Sequence, residues 1–377
     1  MHKKYLPCFI KYLSIISLFL LLSYSGEENK NFGQLSHPTE LNIPTNTISI
    51  TEAEENDLSK FKRLTSIFNQ KPVAVIGDDL KKKEELLGEV ESVNITAEGD
   101  ILVLDSRQNK IKVFDDQGIL LTEFGKTGHG PGELNSPEAM LLTNDSQIIV
   151  IDRFNKVHSY KYKNRQFQYL DTITLDYVPV DICALSDEFI IRGIRHSKKG
   201  FNQATILHSY SLEDFSYKKS FGRPYNSENG LIINQLSDGP IVCDSETNSI
   251  MVMFEYLPYV YSYNAEGKRN WMAELENFEG LNITENRNGS VTFSPKSNGV
   301  SEVGKSITKM KNEYVILQTQ THINRKVVYH KTFIINIRDG SGNYIGKDYP
   351  LIYDWSKKLV VAGASLKVPS FQIIVRR

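Results

Sequence analysis

Two aspartates, Asp105 and Asp152, close the apolar runs ILVLD and IIVID and stand 47 residues apart. Between them the stretch FGKTGHGPGEL, residues 124–134, carries Lys126, His129 and Glu133, and its aromatic-glycine-basic triplet returns as FGR at Arg223. Carboxylate, imidazole and ammonium groups gathered on one surface can hydrogen-bond a polar ligand, hold a divalent ion or move a proton. A local catalytic motif is absent from the sequence, which has no phosphate loop, HExxH, CxxC or nucleophile elbow. Its eight histidines form no close pair at metal-ligand spacing.

The elements that must position these groups are short apolar runs, among them VAVIG, ILVLD, IKVF, IIVID, FIIRG, MVMF, YVYSY, YVILQ, FIINI and LVVAG. Rich in Val, Ile, Tyr and Phe and separated by turn residues, they predict β-strands. Only TEAEENDLSKFKRLTSIF reads as a helix of any length, or else as a charged surface loop. The runs repeat: GDILVLDSRQNKIKVFDDQG lies on SQIIVIDRFNKVHSYKYKNR with Ile101 on Ile148, and FGK and FGR are 97 residues apart, about two periods. A period near 47 with four strands per unit predicts an all-β, six-bladed β-propeller with four-stranded antiparallel blades over residues 47–377. The units run approximately 91–125, 137–175, 179–222, 239–275, 303–348 and 350–377. The last is a strand short, and an open ring would expose unpaired edges, so TISIT or PVAVIG from upstream is expected to supply its outer strand.

FGKTGHGPGELNSPEAM followed by IIVIDRFNKVHSY resembles the NHL repeat. From about Thr47 the chain is similar to the six-bladed β-propeller proteins, often lipoproteins, of Bacteroidetes-type envelopes. The resemblance is carried by the first two units; the others lack the Gly-Pro-Gly signature. It implies a fold and an envelope location far more than an activity.

At the amino terminus His2, Lys3, Lys4 and Lys11 precede an uncharged run of 13 residues from Tyr12 to Tyr24, which predicts an export signal over residues 1–25. An uncleaved anchor is the other reading. LLLSYSG has the form of a lipoprotein box in which Tyr24 replaces the acceptor cysteine, so no thiol is present there to acylate. Membrane contact is then expected only through the uncleaved segment. Residues 26–46, rich in Asn, Thr, Ser and Pro, read as a tether. The net charge is −1, or −4 without the first 26 residues, which gives no footprint for nucleic acid. Cys183 and Cys243 occupy similar places in neighbouring units and read as buried thiols, with a disulfide left open by export.

In such blades the connectors between blades and the turns between second and third strands emerge on one face. Asp105, Lys126, His129, Glu133, Asp152, Arg195, His196, Arg223, Tyr256, His322 and Arg325 all fall there, a mixed rim suited to a ligand. Asp105 and Asp152 also read as acceptors for backbone amides of the turns DSRQNK and DRFNK. Connectors 222–239 and 276–302 are long and lie on the same face, as a lid would. The expected function is noncatalytic binding of a small molecule, peptide or envelope protein in the periplasm or envelope, without a cofactor. The alternative is a metal-assisted hydrolase or lyase, with a bound divalent metal at the channel mouth.

Overall fold

The central strands of the blades are rich in buried apolar residues because both faces of every blade are covered. Ile101–Asp105 is buried at all five positions, as is Ser249–Met253. In a computed structural model, six apolar clusters fill the six spaces between neighbouring blades. The core is therefore a ring of slabs. The structure describes residues 30–32 and 47–376, apart from 54–60, 62–65, 78–81, 198–199, 287, 297–298, 311–312, 348 and 365–368. The expected export signal lies outside the described residues, as does the tether except for Lys30–Phe32.

Blade 1 is the antiparallel meander Val90–Ile95, Ile101–Asp105, Lys110–Phe114 and Leu120–Phe124. The innermost strands of the next five begin at Pro137, Pro179, Ile241, Val300 and Ile352. Each innermost strand touches the next, and the sixth touches the first, so the ring closes. Ala74–Ile76 pairs antiparallel with Phe371–Val375 and becomes the outer strand of blade 6. PVAVIG, not TISIT, makes the closure.

TISIT has another place. Ile48–Glu52 pairs in parallel with the outer strand of blade 4 through Arg269–Leu275 and with that of blade 5 through Gly342–Gly346. It fuses the two blades into one nine-stranded sheet and buries Ile50 completely. Further on, Ile67 enters the cluster between blades 5 and 6, and Phe68 meets Trp355 and Tyr349 in T-shaped, edge-to-face contacts. The amino-terminal segment is thus a belt over blades 4, 5 and 6.

Cys183 and Cys243 are joined in a disulfide that ties the innermost strands of blades 3 and 4. This corrects the expectation of two separate thiols. Equivalent positions on neighbouring innermost strands are adjacent in space, with Cα atoms 5.4 Å apart here, which is within bridging distance.

The long connectors do not stand clear of the core. Residues 222–239 contain the helix Gly230–Leu236, which buries Ile232, Ile233 and Leu236, with Asn229 as its N-cap. Residues 276–302 contain the hairpin Asn282–Glu285 and Val291–Ser294, whose Ile283 lies in the cluster between blades 3 and 4. Asn229 Nδ2 donates to Glu285 Oε1 at 2.7 Å and to the Gly289 carbonyl at 3.0 Å, locking the two connectors together. Lys30–Phe32 adds a third strand to that hairpin.

Candidate functional site

The loop 124–134 is folded around its own glutamate. Gly125 has φ 109°, and a Cβ there would lie 2.7 Å from the Asn109 carbonyl oxygen, so the sharp exit from blade 1 requires glycine. Glu133 Oε2 accepts from Gly130 N–H at 2.9 Å and Oε1 faces Lys126 Nζ at 3.3 Å. The Gly130 amide, followed by Lys126, holds its carboxyl below the usual range. His129 hydrogen-bonds Asn135 at 2.9 Å, and its ring stands edge-on to Phe154. Leu134, buried completely, anchors the loop to the core.

Both aspartates are buried and engaged with backbone. Asp105 accepts from the amides of Gly88, Glu89 and Gln108 at 2.7, 3.2 and 3.1 Å. Asp152 accepts from Phe154 and Lys156 at 2.8 and 3.1 Å, and its other oxygen meets His158 Nε2 at 3.2 Å. The turns they hold bring Asn109 and Asn155 to positive φ, which asparagine tolerates. Arg195 pairs with Asp176 at 2.9 Å and lies over the Tyr217 ring. His196, Arg223 and Arg325 are exposed, Arg325 at a hairpin tip with φ 65°. Of the residues expected from sequence, Lys126, His129 and Glu133 come together in one loop. Tyr256 and His322 instead adjoin a second group of charges nearer the axis.

That second group arises from the innermost strands. Register shifts leave one extra residue in each of five of them: Glu91, Glu138, Val180, Lys305 and Tyr353. Such bulges re-aim a side chain at the end of a strand. In the strands that begin at Val90, Pro179 and Ile352, the residue after the extra one staples the next blade. Ser92 accepts from Met140 N–H at 3.0 Å, Asp181 from Ile241 N–H at 2.7 Å, and Asp354 from Ile95 N–H at 2.7 Å. Burial pushes the Asp181 and Asp354 carboxyls up to about 6 against the two amide bonds that each receives. Both sit deep in the ring, although solvent still reaches part of each side chain.

Between blades 3 and 4 the buried Arg192 donates to the carbonyls of Ser237, at 3.2 and 2.6 Å, of Pro240 at 3.2 Å and of Met253 at 2.6 Å. Its charge bears on Asp238, Asp181 and Glu255. Burial raises the Asp238 carboxyl and, together with Asp238 as a like charge, that of Glu255. Lys305 lies close enough to influence Glu255, Tyr353, His322 and His330, and Arg153, which pairs with Glu138, bears on Asp238. Electrostatic contact therefore runs round the entrance to the axis through five blades. Sequence reasoning missed Glu91, Glu138, Asp238, Glu255, Lys305 and Tyr353. The signal was present in the recurring starts VESV, PEAM, PVDI and IYDW, once the units are aligned.

The Asp181 geometry fixes a pH dependence. Its carboxyl is held near 6 folded against about 3.9 unfolded, so the folded chain binds the extra proton between those values and stability from this site falls as pH rises through them. Asp181→Asn lacks that dependence. The variant is expected to be more destabilising at pH 4 than at pH 7, by about 2 kcal/mol. Urea unfolding of both proteins at the two pH values checks this, and an equal penalty at both would contradict the geometry.

Six blades around a closed axis define the class, a β-propeller of six four-stranded blades. The chain belongs to the family described as 6-bladed beta-propeller, whose model matches residues 80–339. Among solved structures it is similar to a candidate exported protein of Bacteroides fragilis, with TM-score 0.52 and 12% identity over 88% of this chain and 99% of that one. A Bacteroides vulgatus protein gives 0.51 and 8% over 77% and 92%, and the WD40 repeats of RRP9 give 0.51 and 13% over 82% and 99%. At these identities the likeness establishes the fold. Protein brain tumor of Drosophila melanogaster is 26% identical over 82 residues, 22% of this chain and 8% of that protein's length.

Proposed function

We propose that this protein is an exported, noncatalytic binding module of the cell envelope that takes a polar ligand at the entrance to its axis. The observation that carries the reading is the group of acidic and basic side chains at that entrance. The acidic ones are part-buried in the field of Arg192, and a strand bulge places Lys305 beside them, an arrangement costly to the fold that a ligand would put to use. Export is supported by the amino-terminal segment, by the disulfide, which suits an oxidising compartment, and by the similarity to the Bacteroides fragilis protein. Among the described residues no three His, Cys, Asp or Glu side chains converge as a metal site.

A thermal-shift screen of a library of polar metabolites against the wild type, Lys305→Met and Glu255→Gln tests this. Compounds that raise the wild-type melting temperature, lose the effect in both variants and are recovered chemically intact are the expected outcome. Conversion of a bound compound into product would overturn the noncatalytic part. Binding indifferent to both substitutions would overturn the location.

A further inference from the structure

The lock between the two long connectors ends on an Asn–Gly step. Asn288 and Gly289 lie at the tip of the hairpin formed by Asn282–Glu285 and Val291–Ser294, and the Gly289 carbonyl is one of the two acceptors of Asn229 Nδ2. The turn is tight, with Asn286 N–H donating to the Ser290 carbonyl and Gly289 N–H to the Asn286 carbonyl, both at 2.9 Å. Asn288, Gly289 and Ser290 are all exposed. Gly289 has φ 79°, and a Cβ there would meet nothing within 4 Å, so no side chain, its own included, covers its main-chain nitrogen.

The Asn288 amide is activated at one end and free at the other. Its Oδ1 accepts from Ser290 N–H at 3.0 Å and from Ser290 Oγ at 2.8 Å, two donors that draw electron density from Cγ. Its Nδ2 has no partner among the described residues. A second step of the same kind, Asn229–Gly230, stands in contrast. Asn229 Oδ1 accepts from Leu231 N–H at 2.9 Å while Nδ2 is held by Glu285 and the Gly289 carbonyl, so its amide turns toward the Gly230 nitrogen only by breaking three hydrogen bonds. In a third step, Asn298–Gly299, the asparagine lies outside the described residues.

We infer that Asn288 is a site of spontaneous deamidation, and that the reaction releases the lock between the two connectors. The Gly289 nitrogen gives up its proton and attacks Asn288 Cγ; the N–Cγ bond forms, the Cγ–Nδ2 bond breaks, and the amide nitrogen leaves as ammonia from a cyclic succinimide. Water then opens the ring at either carbonyl, giving aspartate or isoaspartate. Aspartate adds a negative charge to the turn. Isoaspartate also routes the main chain through the side-chain carbonyl, which lengthens it by one methylene immediately before Gly289. Because Asn229 binds the Gly289 carbonyl and Glu285 through one amide nitrogen and caps the helix Gly230–Leu236, a shift of the tip loosens that helix as well.

The folded protein, aged in mildly alkaline heavy-oxygen water and mapped by mass spectrometry, reads each step separately, and the heavy oxygen marks product formed before digestion. Heavy aspartate and isoaspartate are expected at position 288, with Asn229 converting at least about tenfold more slowly because its hydrogen bonds must break first. An unmodified Asn288, or equal conversion at Asn229, overturns the assignment. Asn288→Gln is expected to age without product at that position, since the larger ring that glutamine must form closes far more slowly. Hydrogen exchange then tests the consequence. Residues 229–236 and 282–294 are expected to exchange faster in aged than in fresh wild type, and to be unchanged by ageing in Asn288→Gln. Equal exchange in aged and fresh wild type, or the same acceleration in the variant, overturns the release of the lock.

Discussion

Replacing Arg192 with methionine is expected to remove about 3–5 kcal/mol of stability, the range for breaking a buried ionic network by deleting one partner. Methionine fills a comparable volume, so the loss is not a cavity effect. Three carbonyls now share one guanidinium; without it those of Ser237 and Met253 would lose this donor while still buried, and that of Pro240 would keep only the Met253 N–H. Asp181, Asp238 and Glu255 would also lose the cation that offsets their mutual repulsion. Arg192→Lys should be little better, because a single ammonium cannot span carbonyls that a planar fork reaches on two sides. Urea unfolding followed by tryptophan fluorescence measures the difference. A midpoint within error of wild type for the methionine variant would mean that the Arg192 network adds nothing to the apolar packing and the disulfide that join blades 3 and 4.

Deleting residues 1–77 is expected to abolish cooperative folding, whereas deleting residues 1–39 is expected to leave it intact. The longer deletion removes the outer strand of blade 6, the strand that fuses blades 4 and 5, and the buried side chains of Ile50, Ile67 and Ile76. Blade 6 would keep three strands with a bare edge at Phe371–Val375, and such edges recruit other chains. The shorter deletion takes from the described structure only Lys30–Phe32, whose partner hairpin keeps its own pairing and its anchor Ile283. Soluble yield and the sharpness of the thermal transition decide the matter. A sharp transition at the wild-type temperature for the longer deletion would show that the belt is dispensable.

What the sequence determined by itself is whatever recurs locally. Strand composition, turn residues and the 47-residue spacing of Asp105 and Asp152 are properties of contiguous residues, and they settle blade number, strand order and the role of the two aspartates in their turns. The short final unit also announced that a strand must come from upstream. Which segment supplies it depends on pairings across nearly the whole chain. VAVIG and TISIT have equal local propensity, and only the geometry of the assembled ring gives one to blade 6 and the other to the seam between blades 4 and 5.

The charged group near the axis was likewise decided by tertiary structure. A bulge shifts one residue with little trace in composition, and Glu255 or Lys305 alone reads as an ordinary surface charge. They come close because Gly304 lets two blades press together and because Arg192, from a third, takes up the carbonyls around them. The disulfide follows the same logic, since Cys183 and Cys243 are separated by 60 residues and meet only because innermost strands are neighbours around an axis. Burial and electrostatic coupling are set by what surrounds a group in space. Local sequence determined the repeating blade, and closure of the ring determined which side chains face one another across it.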